Sequence, residues 1–287
     1  MARRHSIEGR PQGGKGGIIL VIIVIAVIAV VAYLMLSPKG PTVSESKNLL
    51  AQAQLALANI DKESFTYDGY IEVNSESGTH ANVPFSGDGR IDTKNERMYL
   101  KINLESSQAG GGSIVFETYT IGKTVYMNFA GTWAKVTGYD KLWTGSEFSK
   151  KLVDFSMDFD SKVVSRETVN GKQTIKIVIN PTIEQIASLI SDMDPSVMSS
   201  LGLTDVDSVG AGVKKIELGV WIDSNGFLPV KAQLDIESSS KTLNPAGSGV
   251  VSNDVIISGT ANFDYATPFN IVLPAAAQTA QEVPATQ

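Results

Sequence analysis

One segment near the N-terminus constrains this chain more than any other feature. Residues 18–36 read IILVIIVIAVIAVVAYLML, which is 19 residues without a charge, a proline or a glycine. About 20 apolar residues are needed for a helix to cross the hydrocarbon core, and a helix satisfies its own backbone polar groups there. The run is too long for an ordinary buried core helix, so it predicts a single transmembrane helix over residues 18–36.

The charged residues on either side of this run predict its orientation. Four basic residues and one acidic residue precede it: Arg3, Arg4, Arg10, Lys15 and Glu8. Because basic segments stay on the cytoplasmic side, residues 1–17 are expected to form a cytoplasmic tail and residues 37–287 to lie outside the cell membrane.

Two other interpretations of the N-terminus stay open. The first is a cleaved signal peptide, although its apolar core is usually only about 7–15 residues long and ends in a small-x-small site. Here the run is longer and ends in Tyr-Leu-Met-Leu at residues 33–36. The second is a pilin-like subunit, since residues 14–17 (GKGG) resemble a prepilin leader. The glutamate usual near the start of a pilin helix is missing.

Composition excludes several chemistries. The chain of 287 residues has no cysteine and only two histidines, His5 and His80. Thiol catalysis, disulfides, multi-histidine metal sites and an acylated lipoprotein cysteine are therefore excluded. The net charge of −6 disfavours nucleic acid as a partner, because phosphate binding needs a basic face.

The segment after the membrane run begins with a short linker and a helix. Residues 37–43 (SPKGPTV) are typical of a linker, and Ser44 is a suitable N-cap. Apolar residues then recur at helical spacing up to Ile60, which predicts an amphipathic helix ending near Asp61.

From Ser64 onward the apolar period changes to two, which is typical of antiparallel strands with one dry and one wet face. Regular alternation covers residues 97–104, 124–129, 174–180, 215–222, 228–236 and 255–263, and less regular strands are predicted at 64–75, 83–92, 113–121 and 132–136. Asn170-Gly171 and Asn225-Gly226 are predicted to supply the positive φ angles of tight hairpin turns.

Helical spacing returns at residues 146–157 and 181–193, with a shorter helix at 195–201. A large sheet with one apolar face must cover that face, and about ten twisted strands tend to curl. The predicted fold class is therefore α+β, with a curved antiparallel sheet forming an unclosed half-barrel and helices on its concave face. One outer domain over residues 44–273 and a disordered tail over 274–287 are expected.

A search for catalytic or metal-binding patterns finds none, so we predict no enzyme, no cofactor and no metal site. His80 lies in a polar stretch typical of an exposed loop. Gly122-Lys123-Thr124 resembles the end of a phosphate-binding loop but falls between two strands. The acidic pairs of the chain lack the ligand pattern of a calcium loop. Trp133 and Trp221 are expected to be core or rim residues.

Several short phrases resemble those of a known group. They are Thr124–Met127 followed by Gly131–Lys135, Val220–Asp223 followed by Gly226–Lys231, and the closing Asn262–Tyr265 with Ile271–Pro274. Over residues 44–274 the chain resembles the LolA-like superfamily of lipoprotein carriers and the related LppX/LprG lipoproteins. The resemblance implies an unclosed barrel with a helical lid over an apolar cavity that accepts an acyl chain.

This chain departs from that group in its attachment, because it has a membrane helix where the lipoproteins have an acylated cysteine. A fixed anchor favours a local acceptor, chaperone or sensor over a shuttle. We therefore expect a lipid, a lipidated protein or another apolar ligand as partner, beside the membrane itself. The candidate lining residues are Met98, Leu100, Ile102, Met127, Phe129, Leu218, Val220 and Leu234. One alternative is that these residues are plain core. The other is that the domain is a structural or regulatory cell-surface interaction module, similar to periplasmic anti-sigma-factor partners or to pilins, without a small-molecule ligand.

Overall fold

The computed structural model describes residues 45–76, 78, 80–105, 112–137, 148–182, 213–243 and 250–282. The predicted tail, transmembrane helix and linker lie outside these residues. The predicted helix at 195–201 and residues 183–193 of the preceding one do so as well. Within the described ranges, none of the helices is both long and apolar enough to cross a bilayer.

Twelve strands of the described structure form one sheet. Their bounds are β1 Lys62–Ser75, β2 His80–Asp92, β3 Arg97–Leu104, β4 Ile114–Ile121, β5 Thr124–Phe129, β6 Thr132–Thr137, β7 Ser161–Val169, β8 Lys172–Ile179, β9 Val213–Asp223, β10 Pro229–Leu243, β11 Val250–Asp264 and β12 Gln281–Glu282. Three helices accompany them: α1 Glu45–Leu57, α2 Phe148–Asp158 and α3 Ala275–Gln278.

The strand order is β12-β6-β5-β4-β3-β2-β1-β11-β10-β9-β8-β7. The pairs are antiparallel, apart from the parallel contact of β12 with β6. Two meanders, β1 to β6 and β7 to β11, are joined where β1 pairs with β11. Within the described residues, this single open sheet with its three helices fits the predicted unclosed half-barrel.

Helices α1 and α2 pack on one side of the sheet, which we call the inner face. Their buried residues, among them Leu50 and Val153, form a common core with Ile177 of β8 and Val220 of β9. These four side chains have no exposed surface. The core thus lies over β1, β2 and β8–β11, which is where α1 and α2 are held.

Glycines stand opposite aromatic rings at three successive inner-face positions of the β1–β2 pair. The pairs are Phe65 with Gly89, Tyr67 with Gly87, and Phe85 with Gly69. A Cβ atom on Gly87 would lie 2.0 Å from the carbonyl oxygen of Lys101, and one on Gly89 would lie 2.2 Å from the Phe65 ring. Only hydrogen fits at these positions, so the rings can cross the neighbouring strand closely.

The predicted strands are confirmed, apart from the two edge strands of the sheet and the exact first and last residues of several strands. Strand β7 was not predicted, because an edge strand with the sequence SKVVSRETV has few apolar residues to alternate. Helix α1 ends at Leu57 rather than near Asp61.

The two Asn-Gly turns have different outcomes. Asn170 and Gly171 have φ angles of 50° and 77°, as predicted. At the second turn the positive φ, 56°, belongs to Phe227. The Asp223 side chain accepts a hydrogen bond from the backbone of Asn225 (2.9 Å), and the Phe227 N–H donates to the Asp223 carbonyl (2.9 Å). This wider loop replaces the predicted tight turn.

The predicted disordered tail over 274–287 is wrong for residues 275–282, which form α3 and β12. Ala277 and Ala280 are buried at 0 % and 8 % exposure. Gln281 and Glu282 pair with Ala134 and Lys135 of β6. This segment is ordered by buried alanine side chains and by backbone pairing. Because neither produces an apolar periodicity, the sequence pattern did not predict it.

Candidate apolar binding face

All eight predicted lining residues lie on the inner face of the sheet. Phe65 of β1 pairs with Gly89 of β2, and Gly89 pairs with Leu100 of β3. Leu100 in turn pairs with Thr118 of β4, which pairs with Met127 of β5. On the β11 side of β1, Gly69 pairs with Gly259, Gly259 pairs with Leu234, and Leu234 pairs with Leu218. The period-two pattern therefore assigned the face correctly, even where the strands are seven positions apart in the sheet.

The inner face divides into a covered part and a more open part. Leu218 and Val220 belong to the core under α1 and α2, with 5 % and 0 % exposure. Helices already fill the space above them, so the alternative of plain core packing describes these two residues. Leu234, on the neighbouring strand β10, is half-buried.

The open part lies over β3–β6, beyond the main core. Met98 and Leu100 are half-buried at its margin, and Met127 is half-buried on β5. Phe129 at the end of β5 is 52 % exposed, the most exposed aromatic ring among the described residues. This strip of apolar side chains continues the core outward to the edge of the sheet.

A second, smaller core lies beside the open strip on the same inner face. Ile102 is buried there with Ile71, Leu104, Val255 and Ile257, and Phe116 packs against them. Sequence reasoning missed Phe116 and Ile114 of β4, although they pair with Ile102 and Leu104 on the same face. Ile114 is 40 % exposed. Their signal was weak because polar threonines take the next two inner-face positions of β4, Thr118 and Thr120.

Helix α2 is held at both ends by charges from other elements. At its N-terminus, Glu63 of β1 accepts hydrogen bonds from the backbone N–H (3.3 Å) and the hydroxyl of Ser149. At its C-terminus, the Lys47 ammonium of α1 donates to the carbonyls of Ser156, Met157 and Phe159. An anion at the N-terminus and a cation at the C-terminus both complement the helix dipole. The helix is thereby fixed over the β8–β9 half of the inner face.

A small cleft opens beside the N-terminus of α2. Leu57, Ile60, Ile91 and Ser149 line it, and its cavity volume is about 10 Å³. That is about the space of one water molecule, whereas ligand pockets usually measure about 300–1,000 Å³. This cleft is therefore not a lipid site.

An ion pair connects the first residue of β1 to the last residue of β2. The Lys62 ammonium lies 2.9 Å from the carboxylate of Asp92, whose side chain is only 4 % exposed. Burial alone would raise the pKa of Asp92, but hydrogen bonds from Asn95 and Lys62 outweigh burial and hold that pKa below its usual value. Asp92 thus stays charged in the folded protein at neutral pH.

The residues considered for chemistry are accounted for by local contacts. His80 is exposed at the start of β2, with its Nδ1 atom 2.7 Å from the Asn74 amide oxygen. Trp221 is 3 % exposed on the outer face, and its Nε1–H donates to Glu167 (2.8 Å). In the part of the chain that the structure covers, no three His, Asp or Glu side chains converge as metal ligands would.

Among the comparisons with known proteins, only the comparison with solved structures finds proteins similar to this chain. No family model matches the chain, and no curated protein matches it. LprF from Mycobacterium bovis is 15 % identical, with a TM-score of 0.38, covering 82 % of this chain and 100 % of that one. The lipoprotein LppX from Mycobacterium tuberculosis is 12 % identical, with a TM-score of 0.40, covering 80 % and 100 %.

A third similar structure is a LolA superfamily protein from Nitrosomonas europaea. It is 10 % identical, with a TM-score of 0.22, covering 77 % of this chain and 92 % of that one. The names of the second and third structures, LppX and the LolA superfamily, are those of the group that the sequence resembles.

Proposed function

We propose that this chain is a membrane-anchored extracytoplasmic protein that binds a lipid, a lipidated partner or another apolar ligand on the inner face of its sheet. The observation that carries this proposal is the open apolar strip over β3–β6. Phe129 and Ile114 expose about half of their side chains there, beside the half-buried Met127. An apolar strip in a sheltered concave position is a common feature of ligand sites.

Within the predicted set, we assign direct ligand contact to the residues of the open strip. Met98, Leu100, Met127 and Phe129 would line the ligand, and Ile102 would form the floor beneath it. Leu218 and Val220 support α1 and α2 rather than a ligand. Leu234 lies between the two parts and would contact only a ligand that extends past β1.

The location follows from the sequence features of the first 43 residues. The apolar run at 18–36 and its basic N-terminal flank support an anchor with the sheet domain outside the cell. A protein tethered in this way would receive or hold its ligand beside the membrane.

The test uses the full chain purified in detergent. Bound lipid is identified by mass spectrometry, and uptake of a fluorescent fatty acid is titrated. Placing a charge in the strip with Phe129→Lys should weaken uptake at least about tenfold, because burying a phenylalanine side chain is worth about 1.5–3 kcal/mol. The matched control is Leu55→Lys, since Leu55 of α1 is 72 % exposed and away from the strip.

The outcomes separate the alternatives. Absence of co-purified lipid together with no uptake by the unmodified chain would refute the proposal. Equal uptake by the Phe129→Lys and unmodified chains would refute the assigned position. A defined protein neighbour found by cross-linking, without bound lipid, would favour the cell-surface interaction module.

A further inference from the structure

The outer face of β2–β6 carries a continuous row of aromatic side chains with a cation at each end. Arg90 pairs with Tyr99, Tyr99 with Tyr119, Tyr119 with Tyr126, and Tyr126 with Lys135. The row therefore crosses five strands in direct register. The proposed lipid site on the inner face uses none of these side chains, and we call this set the aromatic row.

Two rings of the aromatic row contact each other, Trp133 beside the row contacts one of them, and all of these rings remain partly accessible. The ring centroids of Tyr99 and Tyr119 are 4.8 Å apart, and the Trp133 ring lies 5.9 Å from that of Tyr119. Arg90 lies over Tyr99 at 5.7 Å. The three tyrosines and Trp133 are all half-buried, so part of each ring faces solvent.

Trp221, another aromatic residue on the outer face, is covered by neighbouring side chains and serves as a comparison. Lys176 and Lys231 hold their ammonium groups 4.6 and 4.5 Å from the Trp221 ring centre. The same ring lies against Gly219, and its N–H is taken by Glu167. Trp221 therefore has a structural role, whereas the aromatic row has no comparable cover among the described residues.

Polar side chains and Trp133 run beside the aromatic row, and charges of both signs surround the rings. The adjacent register row is Asp88, Lys101, Glu117, Asn128 and Trp133. Around the rings, Arg90 lies 4.0 Å from Asp88, and Lys135 lies 3.8 Å from Glu282. Paired charges of both signs produce no strong field for a polyanion or a polycation. They do offer many hydrogen-bond donors and acceptors to a neutral ligand.

The aromatic row lies far from the point at which the chain would leave the membrane. Helix α1 begins next to β7, where Ser46 bonds to Ser161 (2.8 Å) and Glu45 to Arg166 (3.1 Å). β4 is eight strand spacings from β7, about 38 Å along the sheet. The eight residues from 37 to 44 reach at most about 28 Å. With the anchor of the proposed function, on which this placement rests, the row lies on the part of the sheet that is remote from the attachment point of α1.

We propose that the aromatic row is a binding site for a neutral polysaccharide of the cell envelope. The C–H face of a sugar ring stacks on the electron-rich face of a tyrosine or tryptophan. Its hydroxyls exchange hydrogen bonds with the carboxylate, amide and ammonium groups of the flanking row. The rings, with that of Trp133, lie on four neighbouring strands, β3 to β6, which suits an extended chain of sugars better than a single sugar.

The test is affinity electrophoresis of the full chain in detergent, with soluble cellulose, chitin, amylose and peptidoglycan glycan derivatives in the gel. At least one of the four should retard the chain. Tyr119→Ala should weaken the retardation about tenfold, or about 1.4 kcal/mol. The matched control is Tyr70→Ala, since Tyr70 lies on β1, outside the row, and is 38 % exposed. Thermal unfolding of each variant checks that it folds, and Tyr126→Ala replaces Tyr119→Ala if that variant does not.

Tryptophan fluorescence gives a second readout. The retarding polysaccharide should shift the emission, Trp133→Phe should abolish the shift, and Trp221→Phe should preserve it. No retardation by any of the four polysaccharides would overturn the proposal, as would equal retardation of the Tyr119→Ala chain. Binding to phosphatidylcholine vesicles that requires Tyr119, in place of polysaccharide binding, would overturn it too. Phe129→Lys should leave polysaccharide binding unchanged, so failure of the lipid site and failure of this site are distinguishable.

Discussion

The contact between Lys47 and the end of α2 allows the sharpest test of how the inner face is covered. Replacing Lys47 by methionine keeps the aliphatic stem and removes the ammonium group. The carbonyls of Ser156, Met157 and Phe159 then lose their shared donor. Ser156 and Phe159 are buried, at 0 % and 4 % exposure, so water replaces that donor poorly.

The size of the effect follows from two contributions. A hydrogen bond to a charged group contributes about 1.5–3 kcal/mol net, and a cation at a partly buried helix C-terminus contributes up to about 2 kcal/mol. Because the two overlap, we expect Lys47→Met to lower the free energy of unfolding by about 2–4 kcal/mol. For a domain of this size, that corresponds to a fall in Tm of about 5–15 °C.

The assay is thermal unfolding of the full chain in detergent, followed by far-ultraviolet circular dichroism. The matched control is Lys214→Met, which makes the same substitution at an exposed ion pair, with Lys214 and Asp254 2.7 Å apart and both more than half exposed. Exposed pairs of this kind contribute little, so no measurable change in Tm is expected for the control. Equal Tm values for the two variants would refute the assigned role of Lys47.

Two further predictions concern the β1–β3 region. Gly87→Ala places a Cβ atom 2.0 Å from the Lys101 carbonyl oxygen and should lower the free energy of unfolding, measured with denaturant, by about 1–3 kcal/mol. The control is Gly112→Ala, which should have no effect because nothing lies within 4 Å of its added Cβ atom. Equal stability of the two variants would contradict the close packing at Gly87. The pKa of Asp92 is lowered in the folded protein, so its carboxylate stabilises the fold above the unfolded pKa of about 3.9, and this stabilisation is lost as the pH falls through the lower folded pKa. Asp92→Asn should therefore flatten the pH dependence of Tm below about pH 4, and an unchanged slope would show that Asp92 does not contribute.

The candidate binding site was predictable in part. The period-two alternation placed Met98, Leu100, Met127 and Phe129 on one face because side chains alternate strictly along a strand. It placed Leu218 and Val220 there equally well. Alternation cannot tell which inner-face residues α1 and α2 cover, because that depends on where two helices, each far from these strands in sequence, come to rest.

The sequence by itself determined the local features of this protein: the apolar run at 18–36, the strand periodicity, the positive-φ turn at Asn170-Gly171 and the absence of cysteine. Each depends on residues adjacent in the chain. Tertiary structure alone decided the pairing of β1 with β11, the ordering of residues 275–282, the two charges that hold α2 and the alignment of Tyr99, Tyr119 and Tyr126. These depend on register between distant segments, where hydrogen bonding and packing select one partner among many that the pattern permits.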